Sequence, residues 1–291
     1  MVEFVHPHAA EPNRDELSLS IENQPRSVSQ VEQYEKCSWR WYLQRVERVV
    51  PRPAAWSFHG TAFHSAAEAF ERSSRRMGAE EVVEVFRDEY TAMVNKALDK
   101  EANTDLWLAA GRYTGGEDIE RRYVLGLDQT AAYVEWSQTN QPAIWTEPNE
   151  GAPALELSFM VELGGIKVRG FIDQTLEEDQ DPEEDDATVK VRDLKTGTMK
   201  SKFQLQTYAV ALRQQWGVSV KEADWYLAKT GRLSRPVKVE DVSEDEIGQR
   251  FADMDASVKA GNFPANPGFG CRFCDVSHAC FLSHNLNLWA R

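Results

Sequence analysis

The sequence predicts an α/β fold in which a mixed central sheet is flanked by helices. Three observations point to it. Apolar residues recur at helical spacing through most of residues 29–140, a period of two takes over at Leu155, and a helical stretch at 203–217 separates the first three strands from two more. Helices, three strands, a helix, strands and a last helix form an order that favours a mixed sheet over a purely doubly wound one.

Residues 1–26 are polar, contain proline and show no period, so they read as an irregular arm. Ser29-x-x-Glu32 has the spacing of a capping box, in which two side chains satisfy free backbone N–H groups. Val31, Tyr34, Cys37 and Trp41 follow on related faces, so one helix is expected from Ser29 to just before Pro51. A second is expected to start near Thr61, with Phe63, Ala66, Ala67 and Phe70 on one face, His64 in its first turns, and Gly60 ahead of it allowing close backbone approach. Val82, Val83, Phe86, Tyr90, Met93 and Leu98, then Ile119, Tyr123, Leu127, Tyr133 and Trp136, extend this helical block. Leu155, Leu157, Phe159, Val161 and Leu163 alternate with Glu156, Ser158, Met160 and Glu162 as a half-buried strand that Gly164-Gly165 turns back. The second strand runs over 166–173, and the third, after an acidic loop, over 189–193. Phe203, Leu205, Tyr208, Ala209 and Leu212 mark a helix ending at Gly217. Strands are expected at 223–228 and 236–239, and a helix opens at Ser243 with Glu246 as capping partner.

The chain has 291 residues, 42% of them hydrophobic and 27% charged, which is an ordinary globular composition and excludes disorder. No apolar run approaches membrane-spanning length, and Met1 to Ser20 carries Glu3, Glu11, Asp15 and Glu16 where a signal peptide would be basic and then apolar. The expected location is therefore cytoplasmic, with no membrane partner. The net charge of −14 would argue against a polyanion if it were evenly spread, but eight acids crowd residues 177–186 and the rest of the chain carries −6. A basic groove is compatible with that distribution. Four cysteines in a reducing compartment point to a metal site rather than to disulfides.

The sharpest feature is Gly170-Phe171-Ile172-Asp173 followed by Asp193-Leu194-Lys195-Thr196-Gly197. Two carboxylates at the ends of adjacent strands, roughly 5 Å apart, converge on one hard divalent cation such as Mg²⁺ or Mn²⁺. Side chains repeat every two residues along a strand, so Lys195 shares a face with Asp193 and sets an ammonium beside the attacking water. That set suits phosphodiester hydrolysis. Gln204 and Tyr208 share one helix face at i, i+4 spacing, and Glu156 is a candidate only for the rim of the site.

This arrangement resembles the PD-(D/E)xK nuclease superfamily and, within it, the RecB-like branch, whose pattern runs Gly-x-x-x-His, Gly-x-x-Asp, Asp-x-Lys-Thr-Gly and Gln-x-x-x-Tyr. Here these parts are Gly60 to His64, Gly170 to Asp173, Asp193 to Gly197, and Gln204 to Tyr208, in that order. The resemblance implies a restriction-endonuclease-like core and a metal held by His64, Asp173, Asp193 and the Leu194 carbonyl. It further implies Lys195 acting on the water, and Gln204 and Tyr208 orienting the lysine or contacting DNA.

Cys271-x-x-Cys274-x5-Cys280 at the rear and Cys37 at the front could hold Zn²⁺ or a [4Fe-4S] cluster, and spacing alone does not separate them. Together with Tyr34-x-x-Cys37-x-x-Arg40-Trp41, the cysteines resemble the iron-sulfur members of the same branch, which implies [4Fe-4S] in preference to Zn²⁺, with His278 a bystander. The expected organisation is an arm over 1–26 and one RecB-like nuclease domain over 27–291. Within that domain a helical insertion covers about 65–140, the nuclease core about 150–240, and the cysteine cluster 261–282, so that both termini build an iron-sulfur subdomain.

The function so implied is a metal-dependent DNA exonuclease preferring single strands, in recombination, repair or spacer acquisition. The alternatives are a catalytically inactive DNA-binding adaptor of the same fold and a zinc-stapled hydrolase. Lys200, Lys202, Arg213 and the cations of 229–235 are candidate phosphate contacts, and Trp39, Trp41, Tyr42 and Phe203 candidate stackers for unpaired bases. The chain has no P-loop motif, so any helicase or recombination motor is expected to be a separate partner.

Overall fold

The computed structural model describes residues 24–178, 187–197 and 201–282. Residues 1–23 of the expected 1–26 arm, most of the acidic loop and Lys200 lie outside the described residues. Contacts divide the chain into two bodies, one formed by 53–161 with 169–247 and the other by 1–52, 162–168 and 248–291.

In the larger body, helices α3 (Ala55–Arg72), α4 (Ala79–Leu98) and α5 (Gly115–Asn140) pack around Phe63, Phe70, Phe86, Tyr90 and Tyr133, none more than 2% exposed. Helix α3 begins six residues ahead of the expected Thr61 because its N-cap, Ala54, has no capping side chain to announce it. Helix α5 has a true capping box: Glu117 N–H donates to Thr114 Oγ1 at 3.3 Å and Thr114 N–H donates to Glu117 Oε2 at 2.8 Å. Helices α4 and α5 approach so closely that a Cβ on Gly126 would lie 1.8 Å from Phe86 Cζ.

The sheet is mixed, as expected. Strands β1 (Leu155–Leu163), β2 (Ile166–Glu177), β3 (Thr188–Lys195), β4 (Ser219–Leu227) and β5 (Arg232–Leu233) follow one another in spatial order, with β6 (Val237–Lys238) also on β4. The pair β2–β3 is antiparallel and β3–β4 parallel. A parallel connection needs a crossover, which helix α6 (Lys202–Trp216) supplies before ending at Gly217 with φ 68°. The strand expected at 236–239 is only the two residues of β6, preceded by the two-residue β5. Asp173 and Asp193 do not end their strands: β2 continues to Glu177 and β3 to Lys195.

In the smaller body, the single helix expected over 29–50 is two, α1 (Val28–Lys36) and α2 (Ser38–Arg45), because Cys37 between them is extended at φ −165°. The cap of α1 is Ser27, whose Oγ accepts from Gln30 N–H, rather than Ser29. Arg26, expected in the arm, is buried and donates from Nε to Asp255 Oδ1 at 2.8 Å on helix α7 (Glu244–Lys259). Asp275, in the cysteine-bearing segment, accepts from Arg40 Nε at 2.9 Å and Gln44 Nε2 at 2.7 Å, which ties that segment to α2.

Three proposed stackers belong to the core, with Trp41 1%, Tyr42 2% and Phe203 4% exposed. Arg213 is spent on the carbonyls of Val239 and Glu240. Lys202, Lys229, Arg232 and Arg235 are exposed. Among the described residues, no helix is long and apolar enough to cross a membrane.

Candidate active site

The antiparallel register that pairs Gln174 with Arg192 sets Asp173 beside Asp193, and both are buried. The Leu194 N–H donates to Asp173 Oδ2 at 2.6 Å. Lys195, two residues beyond Asp193 and on the same face of β3, donates from Nζ to Asp193 Oδ1 at 3.1 Å and lies 2.8 Å from Oδ2. The first turn of α6 adds Gln204, whose Oε1 accepts from Lys195 Nζ at 3.1 Å while its Nε2 donates to Tyr208 Oη at 2.8 Å. The i, i+4 pair read from the sequence therefore meets the lysine, and the ammonium is held between a carboxylate and an amide.

Helix α3 brings His64. Its Nε2 is 3.0 Å from the Leu194 carbonyl oxygen, which can only accept, so that nitrogen carries the proton in this contact. Its Nδ1 is 3.5 Å from Glu156 Oε1 and 3.6 Å from Asp173 Oδ2. Gly60, one turn earlier, is not required by this approach: a Cβ there would meet Thr196 Oγ1 at 3.7 Å, an ordinary contact.

Glu156 is more than the rim residue the sequence suggested. Its φ is +46°, in the left-handed region that L residues avoid, while the rest of β1 keeps its alternation with Leu155, Phe159, Val161 and Leu163 buried. His64, Glu156 and Asp173 each offer a ligand atom, all within 4.8 Å of one another. Periodicity places Glu156 on the outer face of β1 and gives no sign that a distant helix brings His64 to it.

The acids crowd one another. Burial and the neighbouring Asp173 push Asp193 up to about 7. Burial raises Asp173 too, against the lowering effect of His64. Burial works against charge on His64, yet Asp173, Glu156 and Asp193 together lift it to about 9. Burial and the two aspartates hold Tyr208 well above its ordinary value, so it remains a neutral hydroxyl. The pocket has more acid than it can neutralise, and its carboxylates, imidazole and carbonyl suit a hard dication.

In the smaller body, Cys37, Cys271, Cys274 and Cys280 all line one small cavity with Trp39, Leu43 and Ser277. Among the described residues, no three cysteine sulfurs come within 4.8 Å of one another, so they are not gathered at the spacing of a single ion. Burial pushes the Cys274 thiol up to about 11. His278 is exposed and does not line the cavity.

A family model described as the PD-(D/E)XK nuclease superfamily matches residues 25–281. The chain is 36% identical over 283 residues to the Gene 69 protein of Mycobacterium phage L5, covering 88% of this chain and 95% of that protein. It is 37% identical over 265 residues to the Gene 69 protein of Mycobacterium phage D29, covering 88% and 96%. Neither name states an activity. A crystal structure from Eubacterium rectale, described provisionally as an exonuclease, is similar at a TM-score of 0.45 and 10% identity over 94% of this chain and 92% of that one. That likeness is too distant to bear on function.

Proposed function

The chain belongs to the PD-(D/E)XK nuclease superfamily, and we propose that it is a divalent-metal-dependent deoxyribonuclease of the RecB-like branch, acting exonucleolytically with a preference for single strands. The observation that carries this reading is the gathering of two buried aspartates, Asp173 and Asp193, with Lys195 on Asp193 and His64 Nδ1 3.6 Å from Asp173. His64, Asp173, Asp193 and the Leu194 carbonyl would hold Mg²⁺ or Mn²⁺, with Glu156 joining them. When bound, the ion polarises a phosphoryl oxygen and lowers the pKa of the attacking water.

The chain's own groups do the rest. Lys195 Nζ, fixed by Asp193 and Gln204, orients the water and offsets charge growing on the phosphate. Tyr208 keeps Gln204 from turning away from the lysine. The exposed Lys202, Lys229, Arg232 and Arg235 supply attraction for the DNA backbone.

A [4Fe-4S] cluster is our reading of the four cysteines. It rests on the resemblance of their spacing to that of iron-sulfur nucleases and on all four lining one cavity. Such a cluster would staple α2 to the C-terminal segment, alongside the Asp275 contacts. Recombination, repair or spacer acquisition would be the setting, with any helicase supplied by a separate chain. A digestion time course on end-blocked single- and double-stranded DNA tests this function. Shortening that needs a free single-stranded end supports it, and equal cutting of blocked circles and duplexes would refute the exonuclease reading.

A further inference from the structure

We propose that Tyr133 is a positioning residue for the metal site: a buried relay of hydrogen bonds, Glu71 to Tyr133 to Gln174, fixes where the helix bearing His64 rests against the strand bearing Asp173. This deepens the reading of His64 and Asp173 as ligands of one cation and rests on it.

The two ligands come from elements that share no covalent constraint. His64 is on α3 and Asp173 on β2, with their nearest side-chain atoms 3.6 Å apart. Ligand bonds to Mg²⁺ are about 2.0–2.1 Å and demand near-ideal geometry, so a slide of α3 by about 1 Å would spoil the set. The His64 side chain is 29% exposed and does not lock the helix by itself.

A second tie lies deeper. Glu71 follows His64 by seven residues, which falls about 20° short of two full turns and puts both on nearly one face of α3. Gln174 follows Asp173 directly and points to the other face of β2. Helix α5 inserts Tyr133 between them. Tyr133 Oη donates to Glu71 Oε1 at 2.8 Å and accepts from Gln174 Nε2 at 2.6 Å. Tyr133 is 0%, Gln174 1% and Glu71 5% exposed. Burial and the Glu71 carboxylate keep the phenol protonated, so its hydroxyl remains a donor. Gln174 Oε1 has no hydrogen-bond partner among the described residues, so Tyr133 sets the orientation of that amide. Arg75 lies 2.8 Å from Glu71 Oε2 and anchors the carboxylate at the far end of the relay, whether or not Ser137 Oγ also donates to Oε1.

Mn²⁺ binding by calorimetry on the folded full chain tests this, using wild type, Tyr133→Phe, Gln174→Met and Ser137→Ala. Phenylalanine keeps the ring that packs on Phe63 and Tyr226. Tyr133→Phe and Gln174→Met should each weaken Mn²⁺ binding about tenfold, and the Mn²⁺ needed for half-maximal nuclease activity should move by the same factor with kcat at saturating metal retained. Ser137→Ala removes a bond from the same carboxylate but lies off the path to Gln174, so it should lower Tm and leave Mn²⁺ affinity unchanged. Wild-type affinity in both relay variants, or an equal loss in Ser137→Ala, overturns the proposal. Should Tyr133→Phe fail to fold, Gln174→Met decides alone, because it leaves the Tyr133–Glu71 bond in place. Wild-type Mn²⁺ binding that is absent, or that survives in Asp193→Ala, overturns the metal-site reading itself and the relay with it.

Discussion

Replacing Glu156 with glycine should make the protein more stable and a worse metal binder at once. Glu156 sits at φ +46°, and a non-glycine residue in the left-handed region costs about 1–2 kcal/mol. Glycine removes that strain and gives back about 0.5–1 kcal/mol through the extra freedom of its unfolded backbone. Glu156 repels Asp173 but also holds the His64 imidazolium, so its loss leaves those two electrostatic effects opposing one another and the strain decides the sign. The net expectation is a gain of roughly 0.5–1 kcal/mol in metal-free protein. Mn²⁺ affinity should fall at least tenfold, since even indirect partners of a ligand cost about that much. Glu156→Ala keeps the strain and loses the carboxylate, so it should bind metal equally poorly without the full gain in stability. The assay is urea unfolding in a chelator, followed by Mn²⁺ titration of the folded protein. Glycine less stable than alanine, or metal affinity unchanged in both, would refute the view that strain here serves the site.

Two further expectations concern other parts of the chain. His59 is fully buried, and burial and the Arg122 guanidinium push its pKa down to about 4 from 6.5. The unfolded chain then takes up a proton that the folded one refuses, so stability is lost as pH falls from 6.5 towards 4, reaching about 2.5 kcal/mol at pH 4.5. His59→Gln lacks this slope, and its unfolding free energy relative to wild type should rise by that amount between pH 7.5 and 4.5; parallel curves would contradict it. For the cysteines, anaerobically purified wild type should carry iron and sulfide with brown absorption, and Cys37→Ser should lose them as completely as Cys271→Ser. Stoichiometric zinc without iron would overturn the cluster assignment.

Local pattern made the centre of the site legible. Period puts Asp193 and Lys195 on one strand face and Gln204 and Tyr208 on one helix face, and the resemblance to a family pattern is what joined those pairs to Asp173 and His64. The mixed sheet followed from the order of elements. What escaped the sequence depends on single backbone angles or on tertiary burial. Cys37 breaks the first helix through one extended residue, and Glu156 joins the site only because α3 brings His64 to it. Trp41, Tyr42 and Phe203 have the composition of a stacking surface, and only packing reveals them as core. Arg213 looks like a free cation until the carbonyls of Val239 and Glu240 are brought to it. Glu71, Tyr133 and Gln174 are far apart in the chain and carry no shared period, so no pattern links them before the fold does.

The most direct test is hydrolysis of end-labelled single-stranded DNA by wild type, Asp193→Ala and Lys195→Ala, each with and without added Mn²⁺. Wild type should cut only with the metal, and both variants should fall by at least about a hundredfold while remaining folded. Equal cutting by all three proteins, or wild-type cutting that persists in a chelator, would contradict the assignment of chemistry to this pocket.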